Sequence, residues 1–86
     1  MAKAYVLIET AVGRNKEVVA TLSQLKGVKS VDTVTGPYDI VAVIEGGNLN
    51  DVGDLVTGKI QPLAGITRTV TCLATGTVNT KIGSGI

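Results

Sequence analysis

Apolar positions along this chain switch between strand-like runs and a helical period. Ala4 to Glu9 is rich in β-formers and reads as a first strand. Gly13 opens a segment in which Val18, Leu22 and Leu25 fall at i, i+4 and i+7, with Val19 beside them. That spacing turns one apolar stripe of a helix inward, and Gly27 ends it as a C-terminal cap. Val28 to Thr35 is a second strand, and Ile40 to Ile44 a third that Gly46-Gly47 breaks. Asn48 then caps a second helix, and Asp51 adds negative charge to its first turn. Leu49, Val52, Leu55, Val56 and Ile60 keep its period, although Gly53 and Gly58 each weaken it by about 1 kcal/mol relative to alanine. Pro62 lies beyond its end, and Ile66 to Ala74 is a fourth strand. The division is a domain over 1–75 and a glycine-rich tail over 76–86, read as an arm or a short extra strand.

The two halves repeat. Leu25-Lys26-Gly27-Val28 aligns with Leu63-Ala64-Gly65-Ile66 at an offset of 38 residues. The same offset sets Val18 on Val56, Leu22 on Ile60 and Thr33 on Thr71. Each half is therefore one strand-helix-strand unit. Two such units in one sheet give an α+β fold, the ferredoxin-like split β-α-β arrangement in βαββαβ order. It has a four-stranded antiparallel sheet with two helices.

Right-handed crossovers place both helices on one face of that sheet. A bare second face in a monomer calls for strands that alternate apolar and polar. Tyr5-Val6-Leu7-Ile8 and Ile40 to Ile44 are apolar on both sides instead. The expected cover is a second copy of the chain, making the protein dimeric through the face that lacks helices.

Composition narrows the chemistry. The chain has 86 residues, 44% of them hydrophobic, with a net charge of +1, and so makes a single small globular domain. Basic and acidic residues are mixed, and no basic patch points to direct nucleic-acid binding. The longest apolar runs are about five residues, too short for a membrane span. Neither a membrane nor a nucleic acid is expected as a partner, and a cytoplasmic setting is. There is no histidine, and Cys72 is the sole cysteine, so imidazole catalysis and multi-thiolate metal sites are excluded. No cofactor is expected. Cys72 sits in a β-pattern and reads as a small buried hydrophobe. RNA-binding relatives of this fold stack bases on strand aromatics, and here the central strands carry valine and isoleucine with Tyr5 alone.

One loop carries more than its turn requires. Gly36-Pro37 supplies turn chemistry between strands two and three. Tyr38 and Asp39 at its exit are extra. Local sequence leaves two roles open: packing and backbone bonding within the turn, or a ligand site. Thr67, Thr69 and Thr71 alternate along strand four and project to one face, either as ordinary β-formers or as hydroxyls for a small polar ligand.

The element order, the two Leu-x-Gly-Val/Ile junctions and Gly36-x-Tyr38-Asp39 ahead of a β run resemble one family. It is the effector-binding, or RAM, domain of the leucine-responsive/asparagine (Lrp/AsnC) transcriptional regulators, and the resemblance covers about residues 3 to 75. Strand one starts within five residues of Met1, leaving no room for a helix-turn-helix, so the likeness is to stand-alone RAM modules. The resemblance implies sheet-paired dimers that assemble into octameric or decameric rings, with free amino acids bound between dimers. It also implies a DNA-binding paralogue of the same family as partner. By position it makes Gly36, Pro37, Tyr38, Asp39, Thr69 and Thr71 the ligand-binding candidates, with Thr35 beside the turn. Pro37 departs from the family, which often has an acidic residue there.

A zwitterion needs acceptors for its ammonium and donors for its carboxylate. Asp39 and loop carbonyls suit the first, and loop amides with threonine hydroxyls the second. The expectation is a non-enzymatic amino-acid-sensing module acting through ligand-linked assembly. The competing readings are a small dimeric ferredoxin-like-barrel enzyme and a ligand-free structural assembly unit.

Overall fold

Four strands pair antiparallel in the order β2-β3-β1-β4 in the computed structural model, which describes residues 1–76. They are β1 (Ala2–Thr10), β2 (Val28–Thr33), β3 (Ile40–Gly46) and β4 (Ile66–Leu73). Helix α1 is Asn15–Gln24; helix α2 is Leu49–Leu55 and continues into a π-helical segment, Val56–Ile60. This is the expected βαββαβ order and sheet.

The core lies between the helices and one face of the sheet. Ala4, Val6 and Ile8 of β1 and Ile40, Ala42 and Ile44 of β3 are fully buried there, against Val18 and Leu22 of α1 and Val52, Val56 and Ile60 of the second helical unit. Leu49, expected in the helical stripe, is 57% exposed. It falls in the first turn of α2, at the edge of a groove that also touches Thr71 and Leu73. Asn48 caps α2 as its sequence predicts, its Oδ1 accepting the Asp51 N–H at 2.9 Å. Beyond α2 the bonding widens: the Gln61 N–H reaches the Val56 carbonyl at 2.8 Å. Gly58 sits within this segment, where the lack of a side chain lowers the cost of leaving α geometry.

The internal repeat extends to individual hydrogen bonds. Leu25 N–H donates to the Leu22 carbonyl and Val28 N–H to Leu25; Leu63 N–H donates to Ile60 and Ile66 N–H to Leu63. Gly27 and Gly65 both adopt φ +97°, a left-handed turn that swings each helix end back into a strand. Each glycine also approaches the other half. The Gly27 carbonyl accepts from Glu45 N–H at 2.9 Å, and the Gly65 carbonyl accepts from Ala11 N–H at 2.8 Å. A Cβ on Gly27 would stand 3.0 Å from Leu55, and one on Gly65 3.0 Å from Val18.

The other face of the sheet has no helix. Register puts Tyr5 between Val43 and Cys72, and Leu7 between Val41 and Val70. These six side chains form an apolar centre, with Lys3, Glu9, Glu45 and Arg68 at its margin. Cys72 is exposed on this face rather than buried. The strand pattern around it gave no sign of which side the helices would cover. Strand β2 ends at Thr33, two residues before the expected Thr35, because Val34 N–H turns to the Asp39 carbonyl at 2.9 Å and closes the loop. The arm or extra strand expected after Gly76 lies outside the described residues.

Replacing Gly65 with alanine should destabilise the fold by roughly 1–3 kcal/mol, from backbone strain plus the close approach to Val18. A methyl group on Gly53 would meet nothing within 4 Å beyond the local backbone of its own helix, so Gly53→Ala should stabilise by about 0.5–1 kcal/mol. Chemical denaturation of both variants checks the pair. A Gly65→Ala variant as stable as the wild type would refute the assignment of strain to the junction.

Candidate ligand-binding site

The loop from Val34 to Asp39 is held at both ends by backbone bonds. Asp39 N–H donates to the Ile8 carbonyl at 2.9 Å, while its own carbonyl closes the loop onto Val34. Thr35, Gly36 and Pro37 are exposed at the tip, and Tyr38 and Asp39 are half-buried behind it.

Asp39 anchors the end of β1. Its Oδ2 accepts the Thr10 backbone N–H at 2.8 Å and lies 3.3 Å from the Thr10 hydroxyl. That hydroxyl also bonds Asn15 at the start of α1. The carboxylate therefore ties β3, β1 and α1 together at one corner. Thr10, Asn15, Lys16 and Asp39 line a shallow pocket there.

Tyr38 turns elsewhere. The Arg68 guanidinium of β4 lies over its ring, 5.8 Å from the centroid. Loop and β4 flank β1 on opposite sides, since Ile8 pairs with both Ile40 and Thr69. Two inter-strand spacings, roughly 10 Å, separate them, and only long side chains bridge that distance.

Thr69 and Thr71 do not join this contact. They pair with Ile8 and Val6, both buried on the helix side, so strand alternation points them to the helix side and Arg68 to the opposite face. The Thr69 hydroxyl accepts from Gln61 Nε2 at 3.3 Å. Thr71 lines a groove of about 380 Å³ between α2, the π-helical segment and β4, with Val56, Thr57 and Leu73. Thr67 leaves the alternation: the register shifts between Glu9 and Thr10, and its hydroxyl donates to the Glu9 carbonyl and carboxylate, each at 3.1 Å. The expectation of three threonines on one face thus fails at this bulge.

Within one chain the candidates form separate groups: Tyr38 with Arg68, Asp39 with Thr10 and Asn15, and Thr69 and Thr71 beneath the second helical unit. Arg68 is the residue that sequence reasoning passed over as a site component. Its signal was its place as the cation within Thr67-Arg68-Thr69. Among the described residues, no three or more histidine, cysteine, aspartate or glutamate side chains gather as metal ligands. No helix among them is long and apolar enough to cross a membrane.

Residues 3–82 match the family model of the Lrp/AsnC ligand binding domain. The chain belongs to that family. An uncharacterised HTH-type transcriptional regulator of Pyrococcus furiosus is 31% identical over 67 residues, 78% of this chain and 45% of that protein. The chain spans about half the length of the curated relatives it matches. A crystal structure from Thermus thermophilus superimposes with a TM-score of 0.87 at 35% identity, covering 93% of this chain and all of that one. Escherichia coli AsnC shares the fold, with a TM-score of 0.86 at 18% identity over 93% of this chain and 54% of that one. So does a Neisseria meningitidis transcriptional regulator crystallised as its L-Met complex, at 0.77 and 14% over 94% of this chain and 51% of that one. The Lrp/AsnC domain is a regulatory effector-binding domain, and the family and its relatives are transcriptional regulators rather than enzymes.

Removing the Asp39 carboxylate should loosen the corner it ties. Asp39→Ala strands the Thr10 N–H and should cost about 1–2 kcal/mol without any ligand present, whereas Asp39→Asn keeps an acceptor and most of the stability. Thermal denaturation of the two variants measures this. An alanine variant that melts with the wild type would show that the bond contributes nothing.

Proposed function

We propose that this chain is an amino-acid effector-binding module that acts by ligand-linked oligomerisation in amino-acid-responsive transcriptional regulation, without contacting DNA itself. The observation that carries this reading is the match of residues 3–82 to the Lrp/AsnC ligand binding domain. The L-Met complex of the Neisseria regulator supports a free amino acid as the effector class. The candidate residues are Thr35, Gly36, Pro37, Tyr38, Asp39, Thr69 and Thr71. Their division between two faces of one sheet favours a site that a second subunit completes.

The uncovered face supports assembly. Tyr5, Leu7, Val41, Val43 and Val70 offer an apolar centre with a charged margin, the pattern of a surface that packs on another. A second copy laid sheet on sheet, about 10 Å away, buries it. Further association of dimers into an octamer or decamer would bring the loops to subunit boundaries. Occupancy and assembly then stabilise each other, because a ligand favours the oligomer it bridges. A DNA-binding paralogue of the family, joined in mixed oligomers, would carry the signal to promoters. The setting is the cytoplasm.

Two measurements test this. Thermal denaturation against each of the twenty L-amino acids should show a rise with at least one. At a hundredfold excess over its dissociation constant a ligand adds about 2.7 kcal/mol, which in a domain this small raises the melting temperature by roughly 10 °C or more. Light scattering at micromolar concentration should give a dimer or larger for the wild type. Val43→Lys, which sets a charge in the centre of the uncovered face, should give a monomer. A monomeric wild type would sink the assembly reading, and a flat panel of amino acids would leave a structural unit as the better account.

A further inference from the structure

Arg68 is a charged side chain that neither the core nor the loop closure uses. Among the described residues its guanidinium takes part in no ion pair and no side-chain hydrogen bond; the ion pair present joins Arg14 and Glu17. Its cross-strand neighbour on the same face is Glu9, the natural partner. Glu9 instead accepts the Thr67 hydroxyl through Oε1 at 3.1 Å, and Arg68 lies over the Tyr38 ring. The other carboxylate of the region, Asp39, is bound to Thr10 at the corner of α1. Both nearby anions are thus engaged with other groups, and the guanidinium is held by an aromatic face.

That combination has a chemical meaning. A guanidinium carries five N–H donors and no acceptor. Resting on an aromatic ring restrains the side chain and leaves its N–H edge open, so less freedom is lost when an anion arrives. One planar fork matches one carboxylate in a two-bond contact. A phosphate would call for additional cations, and Arg68 is the single cation of β4. The pair also spans β1 and sets the fork against the loop residue Tyr38, at the margin of the apolar face.

We propose that Arg68, presented on the Tyr38 ring, receives the carboxylate of the bound ligand. This rests on the amino-acid reading above and deepens it: the donor for the carboxylate is a side chain of β4 on the face opposite Thr69 and Thr71. The loop then supplies the aromatic platform rather than the charge. Loss of the fork removes a charge-assisted contact, and with it recognition of the carboxylate in particular.

The test compares ligands as well as variants. Wild type, Arg68→Met and Arg68→Lys are titrated with the twenty L-amino acids and with the corresponding L-amino-acid α-amides, which lack the carboxylate. Melting temperature and light scattering are recorded together. The wild type should bind an amino acid at least tenfold more tightly than its amide. Arg68→Met should lose about tenfold to a hundredfold in affinity for the acid, bind acid and amide alike, and keep its unliganded melting temperature and size. Arg68→Lys should retain part of the preference, since it keeps the charge and loses the fork. An Arg68→Met variant with undiminished preference for the acid overturns the proposal while leaving the amino-acid reading standing. A changed oligomer in unliganded Arg68→Met also overturns it, making Arg68 an assembly residue. A wild type that binds none of the twenty overturns the amino-acid reading, and this proposal with it.

Discussion

Two peptide carbonyls pin each helix-to-strand junction of this chain to the opposite half. Gly27 ends the first helix-to-strand junction and bonds Glu45; Gly65 ends the second and bonds Ala11. Each bond runs from one half to the far end of the other half's first strand. Each needs its glycine, because φ +97° is closed to most side chains and because Leu55 or Val18 lies against the bare Cα. The bonds set each helix-to-strand junction against the end of a strand from the other half. Val18, Leu22, Val52, Val56 and Ile60 close over β1 and β3.

The same placement leaves one face open, and the candidate site inherits that division. Side chains on β4 alternate across the sheet, so adjacent residues serve different environments. Thr69 and Thr71 belong with Gln61 and the groove under the second helical unit. Arg68, one residue before Thr69, belongs with Tyr38 and the uncovered face. Tyr38 and the two threonines are therefore parts of two surfaces, and the sheet is the partition between them.

Much of the fold was legible because it is written twice. The Leu-x-Gly junctions at 25–28 and 63–66 carry the turn geometry, and their offset predicts the second helix even though Gly53 and Gly58 argue against one. Asn48 gave the start of that helix by its cap. What failed was sidedness and small irregularity. Leu49 fits the period yet sits one turn too early to be covered. Cys72 fits a buried strand yet faces outward, since alternation names two faces without saying which the helices take. The bulge at Thr67 depends on pairing with Glu9, fifty-eight residues away, and no local pattern encodes it. The site was legible as a loop and less so as chemistry. Asp39 reads as a turn-bonding or ligand-binding carboxylate, and its actual partner, Thr10, lies outside the turn. Arg68 gains a place in the site only when the fold carries Tyr38 to it.

The strand order has a consequence for how the chain reaches this state. In β2-β3-β1-β4 the strands of each half are kept apart: β3 stands between β1 and β2, and β1 stands between β3 and β4. Neither strand-helix-strand unit owns a single strand pair. During synthesis, β1, α1 and β2 must wait without a ladder until β3 has emerged, and β1 stays half-paired until β4 follows. The β2–β3 hairpin closes across its own short loop, whereas the β1–β3 and β1–β4 ladders must each close a longer stretch of chain before their bonds form. A duplication visible in sequence has produced two units that are interdependent from the first contact.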